Sequence, residues 1–333
     1  MKWGVLGCAN IARSAVIPAI LSVENSHLVA VASRHLLNAQ LFAAKFNCIP
    51  LEGYSQLLDR QDIDAVYIPL PTGLHYEWVM KALEAGKHVL VEKSASATIE
   101  ESTAMVIKAR EKGLALVENF QFLHHSQHQY VKNMLAENEI GEIRSFRSSF
   151  GFPPFDLKNN IRYQQELGGG ALLDSGAYAL RATSFICGSG FEVRAAQLKN
   201  HDSFGVDWYG GAFLSNNETG LFSEIDFGFD NYYQCKYEIW GSNGRIVSTR
   251  AFTAKSDFSP SIFLEKNGET QEIVLSSDNH FINMIRHFEL IVEQRRFETE
   301  WAQLLEQSRL ISQLRKCAEA SVPNQNSVKK IKD

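Results

Sequence analysis

Short apolar runs rich in β-branched residues alternate with helical patterns through the first third of the chain. Trp3-Gly4-Val5-Leu6 precedes a helical period over 12–23, and Leu28-Val29-Ala30-Val31-Ala32 precedes one over 38–46. Ala65-Val66-Tyr67-Ile68 and His88-Val89-Leu90-Val91 likewise precede helical periods over 76–85 and 100–112, and Leu114-Ala115-Leu116-Val117 closes the series. Strands that are apolar along their whole length, joined by helices, are what a parallel sheet needs when both its faces are covered. The first part of the chain is therefore expected to form such an α/β sheet.

The period then changes. Over 193–198, 207–214, 221–229 and 233–240 the sequence alternates with period two, as in Leu221, Ser223, Ile225, Phe227 and Phe229 against the opposite face. Asn267-Gly268 between Ile262-Phe263-Leu264 and Glu272-Ile273-Val274-Leu275 predicts a tight hairpin. The expected product is a large, mostly antiparallel open sheet with one exposed or docked face. Two helical patterns follow, over 280–294 with Phe281, Met284, Ile285, Phe288 and Ile291 on one stripe, and over 301–320. The tail from Val322, rich in Asn, Ser and Lys, predicts a frayed end. The boundary falls at Glu118-Asn119-Phe120, which divides the chain into an α/β unit over 1–119 and an α+β unit over 120–333.

A chain of 333 residues, 45% hydrophobic and 21% charged, has the composition of an ordinary globular protein with room for two cores. Its net charge of -5 offers no basic field for nucleic acid. Its apolar stretches are short of a membrane span, and Met1-Lys2-Trp3 leads into a strand without a signal-peptide pattern, so a cytoplasmic protein is expected. Cys8, Cys48, Cys187, Cys235 and Cys317 are scattered and form no Cys-x-x-Cys, which argues against a disulfide framework and a zinc site.

The first strand-turn-helix carries the cofactor argument. A dinucleotide fold needs small residues where backbone meets pyrophosphate, and Gly7-Cys8-Ala9-Asn10-Ile11-Ala12 places Gly7, Ala9 and Ala12 at the Gly-x-Gly-x-x-Gly spacing. A glycine turn after a strand is also common punctuation; its place in the first βα turn of a repeated βα series favours phosphate on the helix N-terminus. After the second strand an NAD site usually carries an acid for the ribose hydroxyls. This chain has Ser33-Arg34-His35, which suits a 2′-phosphate and predicts NADP(H), the bland reading being that Arg34 caps a solvated loop.

Four segments together resemble the glucose-fructose oxidoreductase/inositol dehydrogenase (Gfo/Idh/MocA) family over nearly the whole chain. They are Gly4 through Ala12, Ile68-Pro69-Leu70-Pro71-Thr72-Gly73-Leu74-His75, Ala85 through Lys93, and Gly168-Gly169-Gly170-Ala171-Leu172-Leu173-Asp174-Ser175-Gly176. The resemblance implies a Rossmann domain, a second domain whose open sheet makes homodimer or homotetramer contacts, and a nicotinamide between them. It also implies cofactor contacts from Pro69, Leu70, Pro71, His75, Glu92 and Lys93. Two positions depart from the usual pattern: Tyr178 stands where many members have His, and Ser94 where most have Pro.

Hydride transfer to a carbonyl creates an alkoxide that must be protonated as it forms. A phenol can supply that proton if a nearby ammonium stabilises the phenolate, and Tyr178 and Lys93 are the expected pair. Asp174 lies one helical turn before Tyr178, able to bind a substrate hydroxyl or position Lys93. Singly, Lys93 reads as an ordinary ion pair and Tyr178 as a core aromatic. His124, His125 and His128 lack companion carboxylates or cysteines at ligand spacing, so no metal is expected; His124 and His125 are expected to line the substrate cleft, with substrate hydrogen bonding or helix capping as their role. The run from Phe150 to Arg181 resembles the nucleotide-sugar 3-ketoreductases of the family, with Lys158 and Arg162 expected at a diphosphate and Tyr163 or Phe152 stacked on a base. An aldose (xylose-type) or trans-dihydrodiol dehydrogenase shares the Lys and Tyr, and an NADP-binding sensor is the non-catalytic alternative.

Overall fold

The computed structural model describes residues 1–157 and 160–321. Lys158 and the tail from Val322 lie outside the described residues.

Six strands form the first sheet: β1 (Lys2–Leu6), β2 (His27–Ser33), β3 (Ile49–Glu52), β4 (Ala65–Ile68), β5 (His88–Glu92) and β6 (Leu116–Asn119). They pair in the order β3-β2-β1-β4-β5-β6, all parallel. The crossovers carry helices α1 (Ile17–Ser22), α2 (Leu36–Phe46), α3 (Tyr54–Leu58), α4 (His75–Glu84) and α5 (Ile99–Lys112). The order reverses direction between β1 and β4, and the crevice beyond the carboxyl ends of the strands at such a switch is where this architecture binds ligands. The edge strand β3 escapes the sequence pattern because Pro50 interrupts its short apolar run, and an edge tolerates the missing donor.

After α6 (Ser126–Ala136) the chain enters an eight-stranded sheet. Its members are β7 (Ile143–Gly151), β8 (Glu192–Asn200), β9 (Asp207–Ser215), β10 (Phe222–Gly228), β11 (Gln234–Gly241), β12 (Gly244–Ser248), β13 (Ser261–Lys266) and β14 (Glu269–Val274). The order is β14-β13-β12-β11-β7-β10-β9-β8, antiparallel except where β7 meets β10. Asn267 and Gly268 have φ of 56° and 79°, the left-handed pair that the expected hairpin turn requires. Strand β7 is central yet absent from the apolar pattern. Phe146 and Phe150 are its buried aromatics, while buried Ser145 and Ser148 fill sites where a pattern search looks for hydrophobes.

Helix α7 (Ala177–Cys187) packs on the inner face of this sheet, and α8 (His280–Gln294) and α9 (Glu298–Ala320) follow it. These last two do not stay within the second unit as chain order suggests. Met284, Ile285 and Phe288 of α8, with Trp301 and Leu304 of α9, are buried in the core of the parallel sheet. The Phe288 ring lies 4.9 Å from that of Trp3. Farther along α9, Leu310, Ile311 and Leu314 join the other core. One helix thus ties both cores together and fixes the cleft between them. Among the described residues no helix is long and apolar enough to cross a membrane.

Candidate active site

A cavity of about 710 Å³ runs from the carboxyl ends of β1, β4 and β5 to the mouth of the second sheet. Ala9, Ile11, Pro69 and Thr72 line one end, Glu92, Lys93, Asp174 and Tyr178 the middle, and Phe152, Phe155, Arg250 and Lys255 the other.

The glycine-rich run brings Asp174 and Tyr178 to this wall. Gly170 has φ of 119°, and a Cβ there would collide with the Asp207 carboxylate. Asp207 Oδ2 accepts from the Leu172 amide at 2.5 Å, which anchors the start of a π-helical turn over Leu172–Gly176 that leads into α7. The regular helical step expected from Asp174 to Tyr178 is thus a π-helical turn running into an α-helix, and both side chains still reach the cavity. Lys93 follows β5 on a cis Lys93-Ser94 peptide bond.

Lys93 Nζ donates to Asp174 Oδ1 and, at 3.1 Å, to the Asp174 carbonyl. Arg162 Nε donates to the other carboxylate oxygen at 2.5 Å. Burial alone would raise the Asp174 carboxyl, but the two cations outweigh it and bring it down to about 2. Burial likewise depresses the Lys93 ammonium, and the charges of Asp174 and Tyr178 more than offset it, holding Lys93 above its ordinary value of 10.5. Nζ stands 4.9 Å from the centre of the Tyr178 ring.

Tyr178 is packed among Phe120, Phe122, Phe150 and Phe252, with ring centres 5.2 to 5.6 Å away. Its hydroxyl accepts from Gln121 Nε2 at 3.1 Å. The expectation that Lys93 lowers the phenol needs correction. Lys93 does pull it down, but burial among the aromatics is the larger effect, and the net direction is upward from 10.0.

At the cofactor end, Gly7 has φ of 122°, and a Cβ there would come within 2.9 Å of Leu70 Cδ2. No side chain caps the start of the helical segment over Ala12–Val16, so its amides stay available to a phosphate, as a dinucleotide requires. Asn10 Oδ1 accepts from Arg13 Nη2 at 2.8 Å, and Cys8 Sγ reaches the Asn38 carbonyl at 3.6 Å. Arg34 is exposed at the end of β2, with no ion pair among the described residues and the Tyr54 hydroxyl beside it. Ser33 is buried, and its hydroxyl accepts from the His35 amide at 3.4 Å instead of facing outward. These residues fit a dinucleotide carrying a 2′-phosphate.

Several expected contacts lie elsewhere. His75 is fully buried, and its ring bridges the carbonyls of Leu70 at 2.6 Å and Ser94 at 2.9 Å, bracing the two cofactor-side loops; burial brings it down to about 4. Pro69 lines the cavity, whereas Leu70 packs against Gly7 and Pro71 opens the following turn. Glu92 lines the cavity and accepts from Tyr67 at 2.6 Å and Asn119 at 2.7 Å.

Three aromatic expectations fail on packing. His124 lies against His287, 4.8 Å between ring centres, outside the cavity lining. His125 caps α6 through Nδ1, which accepts from the Gln127 amide at 3.2 Å. Tyr163 turns inward, stacked on Phe204 at 5.1 Å, so it is no platform for a base; Phe152 and the half-exposed Phe155 remain at the mouth. Gln121, Tyr233, Arg250, Thr253 and Lys255 line the cavity without having been singled out from the sequence. A polar residue just past a strand end marks Gln121, whereas the others sit on loops around β11 and β12 that carry no motif.

A model of the oxidoreductase family with an NAD-binding Rossmann fold matches residues 1–120, and one of the GFO/IDH/MocA C-terminal domain matches residues 128–247. The chain is 44% identical over 288 residues to a dTDP-3,4-didehydro-2,6-dideoxy-alpha-D-glucose 3-reductase of Saccharopolyspora spinosa, covering 86% of each chain. It is 33% identical over 253 residues to a D-xylose 1-dehydrogenase (NADP(+)) of Haloferax volcanii, covering 76% of this chain and 77% of that one. The crystal structure of a 3-ketoreductase from Actinomadura kijaniata in complex with NADP and TDP-benzene superposes with a TM-score of 0.91 at 39% identity, over 95% of this chain and 97% of the other. With both of its domains matched and the cavity at the switch point of a Rossmann sheet, the chain belongs to the GFO/IDH/MocA family of oxidoreductases.

Proposed function

We propose that this protein reduces the 3-keto group of a nucleoside-diphosphate-linked deoxysugar, with Tyr178 as the proton donor. The cofactor is NADP(H), and when bound it supplies the hydride. The observation that carries the reading is the meeting of Tyr178, Lys93 and Asp174 on one wall of a cavity that begins at the Gly7 turn. The names of the relatives at 44% and 39% identity support the substrate class.

As hydride reaches the carbonyl carbon, the carbonyl π pair moves onto oxygen, and that oxygen takes the proton from the Tyr178 hydroxyl. The phenolate left behind lies beside the Lys93 ammonium, which stabilises it until a proton returns from solvent. Because Asp174 stays ionised and Lys93 stays protonated far beyond neutrality, this field is constant across the working range. Burial keeps the phenol above 10.0, so it is a neutral donor at pH 7, and reduction should fall only as pH rises through that raised value. The aromatic rings packed around Tyr178 hold its ring in place, with the hydroxyl at the cavity.

Tyr178→Phe keeps the ring and removes only the donor. Turnover of the TDP-linked ketosugar, followed at the reduced-nicotinamide absorbance, should fall by roughly 10²- to 10⁴-fold while NADPH affinity persists. Near-normal turnover would transfer the role to Lys93. Oxidation of free D-xylose with NADP, together with no binding of dTDP, would replace the nucleotide-sugar reading by the aldose dehydrogenase reading.

A further inference from the structure

We propose that Arg250, assisted by Lys255 and Thr253, forms the subsite that holds the diphosphate of the substrate. This rests on the nucleotide-sugar reading above and assigns it residues.

The argument starts from which cations in the cavity are already matched. Four described cations line it: Lys93, Arg162, Arg250 and Lys255. The first two both bind the Asp174 carboxylate. Arg162 keeps its Nη donors, but its charge is paired with Asp174, so a phosphate meets less net positive charge there than at an unpaired guanidinium, which displaces the expectation that Arg162 is the main phosphate ligand. Arg250 and Lys255 make no ion pair with any described residue.

Arg250 is also pre-positioned. Its Nη1 donates to the Tyr233 hydroxyl at 2.7 Å, and that oxygen lies 2.8 Å from Thr253 Oγ1. The guanidinium sits over two rings, 5.0 Å from the centre of Tyr233 and 5.5 Å from that of Phe258. A guanidinium carries five N–H donors, and the contact with Tyr233 uses one, leaving a planar fork of the kind that grips phosphate oxygens in pairs. Its neighbours are neutral oxygens and ring faces, which steady the group without cancelling its charge.

The backbone beneath it is rigid. Gln127 Nε2 donates to the Arg250 carbonyl at 3.2 Å, His128 Nε2 faces the Ala251 carbonyl at 3.0 Å, and the Ala251 amide donates to the Cys235 carbonyl at 2.8 Å. Gln127 and His128 of α6 thus serve the cavity indirectly, by holding the backbone at Arg250 and Ala251. Phe252, within that segment, packs on Tyr178 with ring centres 5.6 Å apart. The same short stretch therefore touches the proton donor at one residue and presents cations at its flanks. A sugar ring at Tyr178 with its anomeric diphosphate on Arg250 matches that layout, and the half-exposed Phe155 lies at the same mouth for the base.

Calorimetry with dTDP, thymidine and NADPH tests the assignment on the full-length protein. Arg250→Gln should weaken dTDP about 10- to 100-fold, Lys255→Gln less, and Arg250→Lys should recover part of the loss. Thymidine and NADPH should bind the variants as they bind the wild type. If wild type binds no dTDP, the nucleotide-sugar reading falls and takes the subsite with it. If wild type binds dTDP and Arg250→Gln stays within twofold, the substrate reading stands and the subsite is elsewhere. Equal loss of all three ligands would make Arg250 a structural residue and overturn the proposal.

Discussion

The charged residues of the cleft divide by whether burial or pairing wins. Asp174 has two cations within bonding distance, and they overcome its enclosure. Glu118, on β6 behind the same loop, accepts only the Ala95 amide at 2.8 Å, with Arg181 acting on it from farther off. There burial dominates and brings the carboxyl from 4.5 up to about 7. Glu118 therefore binds its proton more tightly in the folded chain than in the unfolded one. By linkage, stability falls as pH rises from about 4.5 to about 7 and is level above that, by roughly 3 kcal/mol at most. Glu118→Gln keeps an acceptor for Ala95 and cannot ionise. In urea unfolding the variant should gain on wild type at pH 8 relative to pH 5; an equal difference at both pH values would show that Glu118 carries no such burden.

At the scale of elements, strand ends do the chemical work, and their legibility in the sequence follows from how local the signal is. The ends of β1 and β5 announce themselves, because a glycine needed at φ of 122° and a lysine after a buried apolar strand are features of a few consecutive residues. Most of the parallel sheet was readable for the same reason: its strands are apolar throughout. Strands β3 and β7 were not, since Pro50 breaks one and serines occupy buried sites of the other. Arg250 and Tyr178 are 72 positions apart in the chain and meet only through sheet packing, so no spacing could have joined them. Of the two roles the histidine run suggested, the structure shows the cap: His125 caps a helix and His128 braces a loop, while neither lines the cavity. Arg34 at the end of β2 is the element-level test of the cofactor. With no ion pair of its own among the described residues, it offers a 2′-phosphate a charge-assisted contact worth roughly 1.5–3 kcal/mol. Arg34→Ala should weaken NADPH about 10- to 100-fold and leave NADH nearly unchanged. A wild type that prefers NADH would overturn the assignment of that strand end.

For the whole molecule, the unpartnered feature is the outer face of the eight-stranded sheet. Its inner face is covered by α7 and α9, while outward-facing Tyr209, Phe213 and Trp240 are 47%, 38% and 52% exposed. Between these aromatics a charge ladder crosses the strands, with Arg147 on Glu224 at 2.9 Å and Arg245 on Glu238 at 3.0 Å and Glu265 at 2.7 Å. Paired charges of this kind carry little net field and little stability in water, so they do not repel an identical surface. A broad sheet face with aromatics and internally neutralised charges is suited to a two-fold contact, in which each copy presents the same patch. We therefore expect the protein to self-associate through this face, and light scattering should return a multiple of the 37.4 kDa chain. Phe213→Glu combined with Trp240→Glu adds unpaired charge to the centre of the patch and should drive the mass toward the single chain, while NADPH binding at the opposite end of the molecule persists. A wild-type protein that runs as a monomer, or a double variant that keeps its mass, would leave the face without this role. The cavity opens beside α7 and the 250–253 loop, on the covered side of the sheet, so assembly and catalysis would then be separable functions of its two faces.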